Sequence, residues 1–245
     1  MATRTLALAL LLLSAGTAVA QGATSPPKWS GFHVGGEVGA GWASYNWNLN
    51  PNYFNTIGPV VLGSSAPQVA SGVLGGGFAG YDWAIAPLGP GQVLLGLELG
   101  ARSGQGFVQA QPDPWFPASD VMQSQINFLA SAVVRAGWAW DRLNLFARGG
   151  WAGADVGFSL HDQGTGISAT LDRWLNGWTV GVGADYMFVD RLSFGLTWDY
   201  SELSGQNLAM SCPGCGVGVG LGAPVVGATI RLNALMARLT WHFAP

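Results

Sequence analysis

In eight separate stretches of this chain, apolar and polar residues alternate at every second position. A period of two is the period of a strand, because successive side chains leave it on opposite faces. The last stretch shows it plainly. Phe243, Trp241, Leu239, Ala237 and Leu235 form an apolar row, and His242, Thr240 and Arg238 form the interleaved polar row. Such a strand fits lipid on one side and a polar lumen on the other, although in a water-soluble sheet the apolar row would instead face a core.

Composition decides between these. The chain is 49% hydrophobic, yet charged residues are only 9%, against roughly 25% in ordinary soluble domains. After the first twenty residues no segment offers the roughly twenty continuous apolar residues of a spanning helix. A closed barrel is the non-helical way to satisfy a backbone in lipid. The expected fold is therefore all-β: a closed antiparallel transmembrane β-barrel of about eight strands. The expected strands cover 31–43, 72–83, 92–102, 124–138, 143–156, 177–188, 192–200 and 228–243.

The N-terminus points to the same compartment. Arg4, the apolar run from Leu6 to Leu13, and Ala18-Val19-Ala20 before Gln21 read as a cleaved signal peptide over 1–20. Residues 21–30 are then an N-terminal periplasmic segment and 31–245 the barrel. Tight turns are expected at Asp141-Arg142 and Asp190-Arg191, with a short link at 85–91. The gaps at 44–71, 103–123, 157–176 and 201–227 read as four long loops. Short periplasmic turns opposite long extracellular loops are the asymmetry of an outer-membrane barrel. A net charge of −3 excludes a nucleic-acid role.

Several segments resemble the small outer-membrane immunogenic-protein family of Gram-negative bacteria, porin-like eight-stranded barrels. They are Trp29-Ser30-Gly31-Phe32-His33-Val34-Gly35-Gly36, then Gly75-Gly76-Gly77-Phe78-Ala79-Gly80-Tyr81-Asp82-Trp83, and Arg135-Ala136-Gly137-Trp138 leading to Asp141-Arg142. Gly177-Trp178-Thr179-Val180-Gly181-Val182-Gly183-Ala184-Asp185-Tyr186 matches best. The resemblance implies a structural or surface protein of the outer membrane and no specific ligand. Ala244-Pro245 after the terminal aromatic, and Cys-Pro-Gly-Cys in the fourth loop, depart from the family pattern.

The alternation places Glu37, Asp82, Glu98, Arg135, Arg148, Asp185, Asp199 and Arg238 in the lumen. Neighbouring strands then pair Glu98 with Arg135, Arg148 with Asp185, Asp199 with Arg238, and Arg238 with Glu37. Eight strands leave an interior just wide enough for side chains to fill, so the expected role is a salt-bridged plug, the alternative being an ion path. His33 and His242 also face inward at the periplasmic end and are weak metal or haem candidates. No metal and no cofactor is assigned. Cys212 and Cys215 suit a small loop disulfide or a loop metal clip better than redox catalysis, which favours a helix N-terminus. The glycine run at 216–222 lacks the Lys-Ser/Thr of a phosphate loop. His161 and Asp162 are adjacent on an extended chain, point opposite ways, and make no ready dyad.

The function expected is envelope integrity and surface presentation of loops carrying Tyr53, Phe54, Trp115 and Phe116. A narrow porin and a loop-borne adhesin or haem binder are the alternatives. The expected partners are outer-membrane lipid, lipopolysaccharide and the barrel-assembly machinery at the C-terminal strand. A non-enzymatic monomer is the expected form.

Overall fold

The computed structural model describes residues 29–49, 65–113, 120–216 and 224–243. The segment 1–20, the four loop aromatics named above, all of the 216–222 run but Gly216, and Ala244-Pro245 lie outside the described residues. The strands are β1 (Gly31–Leu49), β2 (Ser65–Leu88), β3 (Gly91–Gln105), β4 (Val108–Pro112), β5 (Asp120–Trp140), β6 (Leu143–Asp162), β7 (Ser168–Val189), β8 (Leu192–Ala209) and β9 (Val225–His242). They form one antiparallel sheet ordered β3-β2-β1-β9-β8-β7-β6-β5-β4, with a further β3–β5 pairing. Leaving β4 aside, the pairings run from β1 through β2, β3, β5, β6, β7, β8 and β9 and return to β1.

Two-residue turns follow β2, β5 and β7 at one end, here the turn end. Gly89, Asp141 and Arg191 carry positive φ there, at 60°, 48° and 72°, as tight hairpins require. At the opposite, loop end, the strands run well past the expected boundaries, and much of the four expected loops is sheet. The third is only the five residues 163–167. Asp162 organises it, accepting from Gly164 N at 2.7 Å and from Thr165 Oγ1 at 2.5 Å. These bonds to the carboxylate hold its pKa below the usual aspartate value.

The boundaries were misjudged because the sidedness of the strands inverts partway along. On β1 the outer row reads Phe32, Val34, Val38, Ala40, Trp42 and then Ser44 and Asn46, while the inner row changes from His33 and Glu37 to Ala43, Tyr45 and Trp47. On β9 the outer row changes from Leu239 and Leu235 to Asn233 and Arg231, and the inner row from Arg238 to Met236, Leu232 and Ile230. On β8 the outer change falls between Tyr200 and Glu202. The register aligns these points, since Trp42 faces Asn233 and Tyr200 also faces Asn233. A search for one continuous apolar row stops where the row changes face.

In the loop half, the inner face is an apolar core that includes Tyr45, Leu74, Phe107, Leu175, Leu203 and Ile230. β4 was not anticipated. β3 jogs at Gly106, φ 84°, then resumes as β4 along β5. Phe107 in the link turns inward, buried, and its carbonyl accepts from Tyr45 Oη at 3.0 Å. Cys212 and Cys215 are disulfide-bonded, and Ser211 beside them exchanges two backbone hydrogen bonds with Thr170 of β7.

Candidate functional site

In the turn half the inner face is a belt of charge. Glu37, Asp82, Glu98, Arg135, Arg148, Asp185, Asp199 and Arg238 all sit there, each no more than 8% exposed. Glu98 is the hub. It accepts from Arg135 Nη1 at 2.9 Å, Arg148 Nη1 at 2.5 Å and Arg238 Nη2 at 2.6 Å. Asp199 accepts from Arg148 Nε at 2.8 Å and Arg102 Nη2 at 2.9 Å. Asp185 receives Arg135 Nη2 at 3.3 Å. The Arg238 guanidinium lies 3.6 Å from the Phe78 ring centroid and that of Arg135 lies 4.1 Å from Phe146. Both are cation–π distances.

Of the pairs expected from neighbouring strands, Glu98–Arg135 forms, and Arg238 stands 3.9 Å from Glu37. The other two expected pairs do not form. Arg148 pairs with Glu98 and Asp199 rather than Asp185, and Arg238 pairs with Glu98 rather than Asp199. For Arg148 and Asp199 the reason is a spacing rule that nearest-strand reasoning overlooks, whereas Glu98 meets Arg238 and Arg148 from strands further round the sheet. Five times, an acid and a base flank one inner-face glycine on the strand between them. The sets are Glu37–Gly76–Arg102, His33–Gly80–Glu98, Asp82–Gly96–Arg135, Arg148–Gly181–Asp199 and Asp185–Gly195–Arg238. Without a side chain on the middle strand, the flanking groups come within 4 Å across it in four of the sets, while Asp185 meets Arg135 instead of Arg238.

Three of these glycines are covered by a carboxylate. A Cβ on Gly96, Gly181 or Gly195 would meet Oδ1 of Asp82, Asp199 or Asp185 at 1.9, 2.2 and 1.9 Å respectively. Arg102, missed at the expected end of its strand, donates through Nε to Glu37 Oε1 at 2.6 Å. Continuing the inner row Leu94, Gly96, Glu98, Gly100 by one step would have found it.

His33 and His242 are direct cross-strand partners with ring centroids 5.9 Å apart. His33 has Asp82 Oδ2 and Glu98 Oε2 each at 3.5 Å. His242 Nε2 shares a 2.9 Å hydrogen bond with Ser193 Oγ and meets the Trp29 ring edge-on. Among the described residues no three His, Cys, Asp or Glu side chains are grouped to hold a metal ion. Trp29, in the segment ahead of β1, turns under the belt. It is 1% exposed, packs with Leu94, Ala139 and Met187, and donates Nε1 to the Asp141 carbonyl at 2.9 Å. At the loop end His161 Nδ1 bonds Ser168 Oγ at 2.8 Å, while Asp162 faces its own turn.

Outside the belt, the sheet carries an exposed apolar band that includes Val38, Leu97, Leu99, Val182, Leu196 and Leu239. Aromatic residues flank it on both sides. Toward the loops, Trp151 and Trp174 stack at 6.3 Å and both indoles donate to Asn176 Oδ1, while Trp178 meets Tyr200. Toward the turns lie Phe32, Trp83, Trp140, Tyr186, Trp241 and Phe243. From Phe32 to Trp42 the strand rises about 33 Å, or about 25 Å at the usual barrel tilt, the height of a hydrocarbon-facing band.

A band of that height around a polar, charge-filled interior defines a protein that crosses a membrane with strands. The chain belongs to the outer membrane protein beta-barrel domain family, which it matches over residues 5–243, and is an outer-membrane protein. It is 24% identical over 177 residues to the 31 kDa outer-membrane immunogenic proteins of Brucella melitensis and Brucella suis, an alignment covering 71% of this chain. The chain spans 57% of the length of those relatives. Among solved structures it is similar to the outer membrane protease OmpT of Escherichia coli, at TM-score 0.45 and 7% identity, covering 90% of this chain and 99% of that one. It is also similar to the outer membrane protein OprG of Pseudomonas aeruginosa, at TM-score 0.43 and 9% identity, covering 87% and 97%.

Proposed function

We propose that this protein is a plugged structural barrel of the outer membrane, closed by eight wall strands, with its turn end in the periplasm and its loop end outside the cell. Its role is envelope integrity and surface presentation of its loops. It works as a non-enzymatic monomer without cofactor, bounded by lipid and lipopolysaccharide and inserted by the barrel-assembly machinery through β9. The observation that supports this reading is the continuous filling of the interior: Trp29 at the turn end, the charge belt above it, and the apolar core beyond. The cavity lined by Arg102, Arg148, Asp199 and Ser201 holds about 20 Å³, room for roughly one water molecule.

Planar-bilayer recording of the refolded protein tests the proposal. A silent bilayer with folded protein is the expected result. Reproducible unitary currents would overturn the plug and favour the narrow porin. Detergent sensitivity of a deletion strain is the matching expectation in cells.

A further inference from the structure

The outer wall at the loop-side edge of the apolar band holds a fixed pair of indoles. Trp151 and Trp174 stack with their planes 25° apart, and both donate to one acceptor, Asn176 Oδ1. Both also lie over Gly153, which faces Asn176 in the register: a Cβ there would meet Trp174 Cζ2 at 2.5 Å and Trp151 Cζ2 at 2.7 Å. Held by an amide and seated on a glycine, the two indoles stay 41% and 40% exposed. An anchor ordered before its ligand arrives loses little entropy on binding.

Charge continues the same surface. Trp151 faces Trp178, Trp178 faces Glu202 and Glu202 faces Arg231. That row crosses three strand spacings, roughly 14 Å between the backbones at its two ends. Tyr200 braces it, meeting the Trp178 ring at 5.4 Å and donating to Glu202 Oε2 at 3.0 Å. Arg231 donates Nε to that same oxygen at 2.9 Å, and its side chain is 61% exposed. Asp155 stands opposite Trp174. The patch is therefore polarised, with a carboxylate at the indole end and a guanidinium at the other.

Its depth selects the occupant. The row lies where the outer face turns from apolar to polar, between Tyr200 and Glu202 on β8 and between Leu235 and Asn233 on β9. That is headgroup level rather than hydrocarbon. Sugar rings suit it, because their C–H faces stack on the negative face of an aromatic ring, and a guanidinium pairs with phosphate through its forked N–H donors. The turn-side edge is built otherwise. Trp138 and Trp140 stack there too, but Trp138 donates to the Leu88 carbonyl, and Arg142 gives Nη1 to the Met187 and Phe188 carbonyls.

We propose that this surface docks the phosphorylated sugar headgroup of lipopolysaccharide. Trp151 and Trp174 stack on a headgroup sugar, Asp155 accepts from its hydroxyls, and Arg231 binds a headgroup phosphate. The site rests on the reading that places the loop end outside the cell, beside the leaflet that holds this glycolipid.

The test is native mass spectrometry of the refolded protein in detergent, titrated with lipid A, the phosphorylated diglucosamine anchor, and with phosphatidylglycerol, an anionic lipid without a sugar ring. Wild type should retain lipid A at least about tenfold more tightly than phosphatidylglycerol. The double variant Trp151→Leu/Trp174→Leu should lose about tenfold or more in lipid A affinity. Gly153→Val, which displaces both indoles without removing them, should do the same, and it carries the test if the double variant does not fold. Arg231→Gln should weaken lipid A but not its dephosphorylated form. Trp138→Leu, on the turn side, should bind as wild type. Heat-shifted gel mobility confirms the fold of each variant. Equal retention of the two lipids by wild type would overturn the site, as would folded indole variants that bind lipid A normally. Labelling of Thr165→Cys on intact cells reads the orientation separately: an unlabelled loop end would overturn that reading, whatever the lipid binding.

Discussion

The two halves of this molecule bury opposite things with the same backbone. In the turn half, carboxylates and guanidinium groups fill the inside and apolar side chains cover the outside. In the loop half, Tyr45, Leu203 and Ile230 fill the inside, and Asn46, Glu202 and Arg231 line the outside. Both interiors are dense, so interior packing alone does not explain the difference. What changes is the solvent around the wall. Where lipid surrounds the strands, apolar side chains gain nothing by turning inward, and the interior can hold a paired polar network. Where water surrounds them, the hydrophobic effect returns and the strands bury an apolar core as a soluble sheet does. The residues that change sides therefore mark the water boundary.

This contrast can be broken from either half. The largest effect is expected from Arg238→Ala, which takes a cation from the buried belt, removes one of the three arginines on Glu98 and uncovers Phe78. A loss of about 3–5 kcal/mol is expected, read as a lower urea midpoint of the refolded protein. An unchanged midpoint would mean the belt contributes no stability. Leu203→Ala, in the fully buried apolar core, should cost about 2–5 kcal/mol by opening a cavity. Its loss should be accompanied by faster amide exchange in the loop half, with the belt strands still protected.

Gly181→Ala sharpens the spacing rule. A methyl group there collides with Asp199 Oδ1 and the Trp198 carbonyl, and about 1–3 kcal/mol of overpacking strain is expected. The same change at Gly75, where a Cβ meets nothing within 4 Å, should be nearly silent in the same unfolding assay. The smallest effect belongs outside the membrane. Asp162 has a lowered folded pKa, so its contribution to the 163–167 turn is present at neutral pH. That contribution is lost as pH falls below the usual aspartate range. NMR titration of Asp162 should place its midpoint below about 3.9, the unperturbed value, and Thr165→Val should move it upward.

Much of this was legible in the chain. The inner and outer rows of the turn half, the tight turns at Asp141-Arg142 and Asp190-Arg191, and the inward placement of the eight charges follow from alternation alone. The continuation of the strands past Ala43 and Tyr200 did not, because there the apolar row crosses to the other face and a single-row pattern stops. Arg102 ends the expected third strand, one step along the inner row from Gly100, and was not counted with the lumen charges. The glycines facing inward beside Glu37 and Asp185 were visible, but their use as gaps was not. Which acid reaches which base across Gly76, Gly96 or Gly181 depends on the register of three strands at once.

What the sequence determined by itself is therefore the class of wall: period two, few charges, no spanning helix, and a polar row opposite an apolar one. Those properties are local, since each side chain's face follows from its own place along the strand. Tertiary structure alone decided the charge partners, the burial of Trp29 beneath the belt, the inward turn of Phe107, and the place of His33 opposite Glu98 across Gly80. Each of these joins residues far apart in the chain, through pairings and packing that no local pattern encodes.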